Sequence, residues 1–324
     1  MYQAVSFPDN VTLLDAHPEP ADSKGEILRG LMSDPKTIDP KWFYDTTGAE
    51  LFVEITQLPE YYPTRTEIGI LTMHRDDIAA HCGTGSVLIE PGSGNAEKVR
   101  LLLDALQPST YVPLDISAEQ LGEEAALLGQ QYPWLNVHAV CADFKDSDAY
   151  LDSLPQGRRI IFYPGSTIGN MEPEAALEFL RFARQITAPD GGILIGVDLH
   201  KDKATLDAAY NDASGVTAQF NRNVLDHVNA LADAQFDSST FRHKAFYNED
   251  LRRIEMHLVS QEQQSVRCNG EVIQFMDGES IHTENSYKYS VKGFTDLASR
   301  AGLKVEQSWT DKQQMFSVHY LSSA

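Results

Sequence analysis

A short apolar run that breaks into a glycine turn and then into a helix, at residues 86–98, places the strongest constraint on the fold. Beyond the turn, apolar side chains recur at the spacing of one helix face, at Val99, Leu102, Leu103 and Leu106. Asn95 lies where a capping side chain is expected, and Gly92 and Gly94 lie at the end of the strand. Glycines let the backbone pass close to a ligand, and a helix N-terminus offers free N–H groups. The segment therefore predicts a strand, a tight loop and a helix that together face a small ligand.

The identity of that ligand is narrowed by comparing the loop with known glycine motifs. A dinucleotide-binding loop needs a third glycine where Glu97 stands, and the chain contains no phosphate loop of the pattern G-x-x-x-x-G-K-[ST]. What remains is Glu90 at the strand end followed by Gly-x-Gly, which resembles the nucleoside-binding first motif of S-adenosylmethionine-dependent methyltransferases. Ala96 replaces the third glycine of that family's usual pattern. Taken alone, a Gly-Ser-Gly turn is equally typical of a plain loop between a strand and a helix.

Length and charge limit the kinds of partner. A chain of 324 residues can bury a large core in one big domain or two. Its 26 basic and 47 acidic residues give a net charge of -21, which opposes binding to nucleic acid or to an anionic membrane. The 3 cysteines are widely spaced and odd in number, which indicates neither a disulfide framework nor a zinc site. We expect a cytoplasmic monomer that uses no metal and acts on a small molecule.

Strands and helices alternate from residue 86 onwards, which predicts a parallel sheet. Asp115 ends the second strand about 20 positions after the glycine turn, where an acidic residue can accept both ribose hydroxyls. The third strand runs into Asp143 and Phe144, which can hold an adenine edge and face, or can equally be a loop carboxylate beside a core ring. Asn170 follows the fourth strand and is either a ligand contact or a loop amide that caps local backbone. Ser117 is expected to open the next helix through a capping box.

Two regions lie outside this alternation. Near the N-terminus we expect a helix at residues 23–33 and a rigid loop that displays Tyr61 and Tyr62 between two prolines. Residues 201–289 form an apparent insertion with a hairpin at Asn269-Gly270, and the chain then ends with a helix and two strands. The predicted fold is α/β, with a Rossmann-like domain at residues 75–200 and 290–324. A second, α+β substrate-binding domain is predicted from residues 1–74 and 201–289.

Several separated strings together point beyond a generic methyltransferase. They are KWFYD (41–45), LPEYYPTRTE (58–67), GSTIGN (165–170), GVTAQFNRN (215–223) and RIEM (253–256). These strings resemble the L-histidine Nα-methyltransferases of ergothioneine biosynthesis, and the similarity spans nearly the whole chain. The resemblance implies a class I methyltransferase sheet, S-adenosylmethionine as cofactor, and an enzyme that trimethylates the α-amino group of L-histidine to hercynine. The sequence departs from related ones at Pro91, where a leucine is common.

The resemblance also assigns site residues. Cofactor contacts are implied at Gly92, Lys98, Asp115, Asp143 and Phe144. Histidine-binding positions are implied at Tyr61, Asn170, Tyr210, Glu284, Asn285 and Ser286, with Tyr44 and Met256 as pocket neighbours. A buried carboxylate at Glu284 beside the Ser286 hydroxyl can accept N–H bonds from an imidazole, although Glu284 alone reads equally well as a solvated turn residue.

The reaction places its own demands on these residues. Methyl transfer from a sulfonium needs a neutral amine lone pair held in line with the methyl carbon, so positioning supplies most of the catalysis. Tyr44 and Asn170 are the catalytic candidates because they can orient the nitrogen, while Asn170 and Tyr210 can hold the substrate carboxylate. Two alternatives stay open: an N-methyltransferase of a tryptophan-type aromatic amino acid, and a non-catalytic binding module with the same fold.

Overall fold

The computed structural model describes residues 7–16, 22–144 and 149–324, and its strands and helices are as follows. The strands are β1 (Val11–Asp15), β2 (Lys36–Thr37), β3 (Val87–Pro91), β4 (Thr110–Asp115), β5 (Asn136–Cys141), β6 (Arg159–Tyr163), β7 (Gly192–Asp198), β8 (Phe241–Asn248), β9 (Arg253–Ser260), β10 (Gln264–Cys268), β11 (Glu271–Phe275), β12 (Ser280–Tyr287), β13 (Leu303–Thr310) and β14 (Phe316–Ser323). The helices are α1 (Ser23–Met32), α2 (Thr46–Gln57), α3 (Tyr62–Met73), α4 (Arg75–Cys82), α5 (Glu97–Leu106), α6 (Ala118–Gln131), α7 (Pro173–Thr187), α8 (Lys203–Tyr210), α9 (Val216–Ala232) and α10 (Val291–Arg300).

One large sheet carries the glycine turn. Its 8 strands lie in the order β1-β5-β4-β3-β6-β7-β14-β13, and only β14 and β13 run antiparallel to their neighbours. The central strand β3 is buried along its whole length because helices cover both faces of the sheet. Leu88 packs into the core on one face, whereas Val87 and Ile89 pack into the core on the other. This architecture confirms the predicted Rossmann-like α/β sheet with an antiparallel closing pair.

A second, smaller sheet has the order β2-β12-β9-β8. Helices α1, α2, α8 and α9 contribute to a third apolar core on it, which contains Phe43, Phe220 and Met256. The predicted hairpin is also present, because β10 pairs antiparallel with β11 around a turn in which Asn269 and Gly270 both have positive φ, 49° and 84°. The insertion therefore builds its own sheet beside the large one.

The N-terminal segment divides between the two sheets. Strand β1 pairs in parallel with β5 at the edge of the large sheet, and Ile70 and Ile78 pack into a core of that sheet. β1 and Ile70, from the stretch predicted for the second domain, therefore contact the large sheet, and composition alone does not reveal β1 as an alternating edge strand. Within the described part of residues 1–74, β2 is the strand that pairs with the insertion. Parts of the predicted domains, at residues 1–6, 17–21 and 145–148, lie outside the described residues, and the two-domain division stays a proposal.

Two local predictions differ from the structure. Ser117 precedes α6 but makes no side-chain cap bond, and its backbone N–H donates to the Asp115 carboxylate at 3.2 Å. Tyr62 lies not in a loop but in the first turn of α3, where Pro63 fits because it needs no N–H partner, and its ring is buried. Across the described ranges, no helix combines the length and apolar character that crossing a membrane requires.

Candidate active site

The glycine turn lies at the carboxyl ends of the parallel strands, where ligands bind in open α/β sheets. Gly92 has φ 67° and Gly94 has φ 50°, and a Cβ atom built on either would meet no atom within 4 Å. The Gly92 N–H donates to the Leu114 carbonyl at 2.7 Å, which ties the turn to the end of β4. Ala96 holds a left-handed φ of 51° where the usual third glycine would sit. The turn is thus an open cradle next to the N-terminus of α5.

Asp115 stands beside this cradle as the last residue of β4. Its carboxylate accepts the Gly94 N–H at 3.4 Å and the Ser117 N–H at 3.2 Å. An ionised carboxylate can accept about four hydrogen bonds, so acceptor capacity is left for a pair of ligand hydroxyls. Asp143 and Phe144 follow the adjacent strand β5, and the Phe144 ring packs edge-on against Phe182 with centroids 5.2 Å apart. These groups fit the ribose and base of a nucleoside.

Lys98 is locked in place by a buried carboxylate that the sequence did not single out. The Lys98 ammonium lies 2.6 Å from Glu67, whose side chain is 1% exposed. Both Glu67 carboxylate oxygens also accept the Gly165 N–H, at 3.0 and 2.9 Å. Glu67 therefore joins α3 to the loop after β6 and to the cofactor side of the cleft. The signal was present in the LPEYYPTRTE string, but the string does not indicate that its final glutamate is buried.

A second cavity lies over the smaller sheet and collects several predicted substrate residues. Tyr61, Tyr210, Met256 and Glu284 line it, together with an apolar and aromatic wall of Phe52, Ile55, Ala209, Thr217 and Phe220. Strand β12 shifts register between His282 and Glu284 where it pairs with β9. Such a bulge re-aims the side chains that follow it, and here it places Glu284 opposite the buried Met256.

Glu284 is the carboxylate that lines this cavity. Among the described residues, none donates a hydrogen bond to it. Burial raises the pKa of Glu284 to about 7, while the positive charge of Lys288 acts to lower that pKa. Asn285 points elsewhere, since its amide donates to Glu172 at 2.9 Å. Ser286 is buried and accepts a bond from the Tyr210 hydroxyl at 2.9 Å. The predicted trio thus divides, with Glu284 and Ser286 two residues apart on the same strand face.

Tyr44 and Asn170, the two catalytic candidates, both lie near Glu284. Although 47% of the Tyr44 surface is exposed, surrounding protein atoms partly desolvate its phenol. This desolvation raises its pKa, helped by Glu284, Tyr210 and Asp115. The Tyr44 ring packs edge-on against Phe52 and Phe220, with centroids 5.8 and 5.9 Å apart. Asn170 ends a short 3₁₀ turn, Thr167–Asn170, and lines a groove that Glu284 also borders. The charges of Asp115 in the nucleoside cradle and of Glu284 in the second cavity therefore both act on the Tyr44 phenol.

One cluster has the donor types of a metal site. Glu255, His257 and His282 bring donor atoms within 4.8 Å of one another. The two imidazole rings, however, are stacked with centroids 4.7 Å apart and planes 18° from parallel. Ring lone pairs lie in the ring plane, so two stacked imidazoles cannot both point at one ion. Glu255 is also paired with the Arg253 guanidinium at 2.9 Å, which repels a cation, so we assign no metal there.

Three proteins with related sequences are N-methyltransferases or an ergothioneine biosynthesis protein. A histidine N-alpha-methyltransferase of Mycolicibacterium smegmatis is 43% identical over 303 residues, which cover 90% of this chain and 93% of that protein. Ergothioneine biosynthesis protein 1 of Neurospora crassa is 32% identical over 90% of this chain and 33% of its own. A 4-dimethylallyltryptophan N-methyltransferase of Aspergillus fumigatus is 29% identical over 88% of this chain and 89% of its own.

The matching family model covers both sheets apart from β1. Residues 23–323 match the model of a family described as histidine-specific, S-adenosylmethionine-dependent methyltransferases. The matched range includes the open glycine cradle with its acidic neighbour and the second cavity with its half-buried carboxylate. The chain therefore belongs to the family of S-adenosylmethionine-dependent, histidine-specific methyltransferases.

Proposed function

We propose that this chain methylates the α-amino group of L-histidine three times to give hercynine, a step of ergothioneine biosynthesis. The observation that carries the proposal is the Glu284 carboxylate, which lines a largely apolar cavity and receives no hydrogen bond from a described residue. Glu284 is half-buried, and a partly desolvated acceptor without a protein partner is satisfied when a ligand brings a donor. An imidazole N–H is such a donor, and the aromatic wall fits the rest of a flat ring.

The cofactor side of the site is proposed at the glycine cradle. Gly92 would let the cofactor approach the backbone, Asp115 would accept the ribose hydroxyls, and Asp143 and Phe144 would flank the base. Lys98, whose ammonium lies 2.6 Å from Glu67, would lie at the methionine end of the cofactor site. When bound, S-adenosylmethionine supplies an electrophilic methyl group on a sulfonium.

The chain's own task is to present a neutral amine in line with that methyl group. A free α-amino group has a pKa near ~8, so a minority is already neutral at neutral pH. The raised pKa of Tyr44 keeps its phenol protonated, so Tyr44 acts as a hydrogen-bond partner that orients the nitrogen rather than as a base. Asn170 is proposed to share that role. Neutral partners also leave room for nitrogens that already carry methyl groups.

The rest of histidine is proposed to be held from two sides. Asn170 would bind its carboxylate with Tyr210 beside it, while Tyr61 and Met256 would pack on its side chain. Glu284 would accept an imidazole N–H, with Ser286 beside it. An indole has no in-plane nitrogen lone pair and a larger body, so a tryptophan-type substrate would use this pair poorly.

The setting of the reaction is proposed from charge and cysteine placement. We propose a monomer in the cytoplasm, since every proposed contact comes from a single chain. The net charge of -21 disfavours anionic polymers and membranes. Cys82, Cys141 and Cys268 are buried, and no disulfide joins any two of them, as suits a reducing compartment.

Calorimetry followed by a methylation assay tests the proposal. S-adenosylhomocysteine, which lacks the reactive methyl group, is bound first, and histidine or tryptophan is then titrated into the complex. We expect histidine to bind at least about tenfold more tightly than tryptophan, which corresponds to one net hydrogen bond. Methylation of histidine should then follow when S-adenosylmethionine replaces its analogue. Preference for tryptophan would favour the alternative substrate class, and binding without turnover would favour a binding module.

A further inference from the structure

A buried cation lies directly behind the proposed substrate contacts. Lys288 is 3% exposed and follows the end of β12 by one residue. Its ammonium lies 2.7 Å from Asp198, 2.8 Å from the Ser286 hydroxyl and 3.4 Å from the Tyr210 hydroxyl. An ammonium carries three N–H donors and no acceptor. These three oxygens therefore account for all of its hydrogens.

The charge is kept in place by a carboxylate at the end of β7. Asp198 is 1% exposed and also binds the Lys201 ammonium at 2.7 Å and the Tyr62 hydroxyl at 2.7 Å. Burial acts to raise the pKa of Asp198, but the two ammonium groups outweigh it and hold that pKa below its usual value. Burial likewise acts to lower the pKa of Lys288, and Asp198 outweighs it in the opposite direction. Lys288 is thus a permanent donor.

Hydrogen counting shows what this donor does to its neighbours. The Tyr210 and Ser286 hydroxyls are 2.9 Å apart, so one hydroxyl hydrogen is used between them. Lys288 fills a lone pair on each oxygen. The hydroxyl that accepts from its neighbour then has both lone pairs occupied and can offer only its own O–H to a ligand. The pair therefore keeps one O–H free whichever way the shared bond runs, and Tyr210 lines the cavity while Ser286 lies on the same strand face as Glu284.

We propose that Lys288 is a positioning residue that fixes this pair as a donor beside the Glu284 acceptor, so that the pocket recognises a neutral imidazole. A neutral imidazole carries one N–H and one nitrogen lone pair, which matches one acceptor and one donor. Indole and phenyl rings carry no nitrogen lone pair of this kind. The inference rests on the proposed function and adds the second half of the ring contact, which acts through Ser286 and Tyr210 rather than by touching the substrate.

The test compares histidine with thienylalanine, whose five-membered ring has neither an N–H nor a nitrogen lone pair. Affinities of both ligands are measured calorimetrically with S-adenosylhomocysteine bound, for wild type, Lys288→Met, Ser286→Ala and the double variant. Lys201→Met is the matched control, because it removes an ammonium from the same Asp198 but contacts neither Ser286 nor Tyr210. Binding of S-adenosylhomocysteine itself and thermal midpoints report whether each variant is folded.

We expect Lys288→Met to weaken histidine binding by about tenfold or more and to leave thienylalanine binding nearly unchanged. In the Ser286→Ala background the same change should have little further effect, as coupled residues show in a double-variant cycle. Lys201→Met should lower the thermal midpoint without changing the ratio of the two affinities. Equal losses for both ligands, or additive losses in the cycle, would overturn the inference. Wild type that binds the two ligands equally would instead contradict the proposed function. If Lys288→Met does not fold, the two affinities are measured in Lys288→Arg instead. This variant retains the donor, so the ratio of histidine affinity to thienylalanine affinity should stay close to that of wild type. A collapsed ratio in that variant would also overturn the inference.

Discussion

Three carboxylates, Asp198 and Glu90 buried and Glu284 half-buried, behave differently because their surroundings differ. Asp198 has two ammonium partners and stays ionised. Glu90, in β3, receives a hydrogen bond from the Tyr111 hydroxyl, yet burial still raises its pKa to about 8. Glu284 has no donor among the described residues and its pKa is raised to about 7. Asp198 therefore supports the structure, Glu90 makes stability depend on pH, and Glu284 is proposed to bind a ligand.

Replacing Glu284 by alanine should reduce histidine turnover far more than cofactor binding. The acceptor for the imidazole N–H is lost, which corresponds to about 1.5–3 kcal/mol for a bond to a charged group, or roughly tenfold to a hundredfold. Phenylalanine and tryptophan should compete better, since no carboxylate is left unpaired beside them. Methylation rates of the three amino acids at saturating cofactor measure this. Glu271→Ala, which removes an exposed carboxylate on β11, is the control, and equal relative rates in wild type and Glu284→Ala would refute the assignment.

Asp115→Ala should weaken cofactor binding while leaving the fold intact. The carboxylate has two backbone N–H partners within the protein, and its proposed ribose bonds are charge-assisted. Loss of two such bonds should lower affinity for S-adenosylmethionine by about a hundredfold or more. Calorimetric affinity is compared with that of Asp104→Ala, an exposed carboxylate on α5. Unchanged affinity would exclude Asp115 from this role.

Glu90 should make stability depend on pH. Its folded pKa of about 8 lies above an unfolded value near ~4.3, so the folded state holds a proton that the unfolded state has lost between these values. The free energy of unfolding should therefore fall as pH rises through that window and level off above it, by about 1.4 kcal/mol per pH unit. Glu90→Gln removes this titration. Urea unfolding of both proteins at pH 5 to 9 measures the difference, and parallel stability curves would show that Glu90 is ionised throughout.

At the scale of elements, the cleft depends on how α3 is fixed against the large sheet. Glu67 on α3 binds the Lys98 ammonium and the Gly165 N–H. The same helix begins beside Tyr61, and its Tyr62 hydroxyl donates to Asp198 on β7. One helix therefore contacts the proposed cofactor seat and the support of the substrate pocket.

Gly196→Ala should disrupt this arrangement. A Cβ atom at residue 196, in β7, would lie 2.0 Å from a Glu67 carboxylate oxygen, so Glu67 must leave its partners. We expect a loss of about 1–3 kcal/mol in the free energy of unfolding, typical of overpacking, and weaker binding of S-adenosylmethionine. Gly69→Ala is the matched control on α3, where a Cβ meets nothing within 4 Å, and alanine there should stabilise the helix by about 0.5–1 kcal/mol. Similar unfolding curves for the two variants would contradict the role of Glu67.

Sequence patterns predict the parts of the site that are local. The glycine turn, the acidic end of β4 and the Asn269-Gly270 hairpin follow from short-range spacing, and the structure has all three. Lys288 and Asp198 were not predicted as a pair because 90 positions separate them and only the docking of two sheets brings them together. The bulge before Glu284 does not follow from the sequence either, since residues 282–286 are all polar and contain no apolar alternation whose phase an extra residue would shift.

At the scale of the whole molecule, the reaction needs both sheets. The large sheet places Gly92 and Asp115, the smaller sheet places Met256 and Glu284, and Tyr44 lies where both sets of charges reach it. The Asp198–Lys288 ion pair links the two sheets behind the pocket. We therefore propose that the second sheet sets the specificity for histidine and that the first sheet holds the methyl donor.

The most direct measurement offers the purified protein S-adenosylmethionine and an equimolar mixture of all protein amino acids, and identifies methylated products by mass spectrometry. The account predicts histidine with three methyl groups on its α-nitrogen as the dominant product, with fragmentation placing none on the ring. Methylated tryptophan as the main product, or histidine methylated on the imidazole, would contradict the proposed role of Glu284 and the proposed function together.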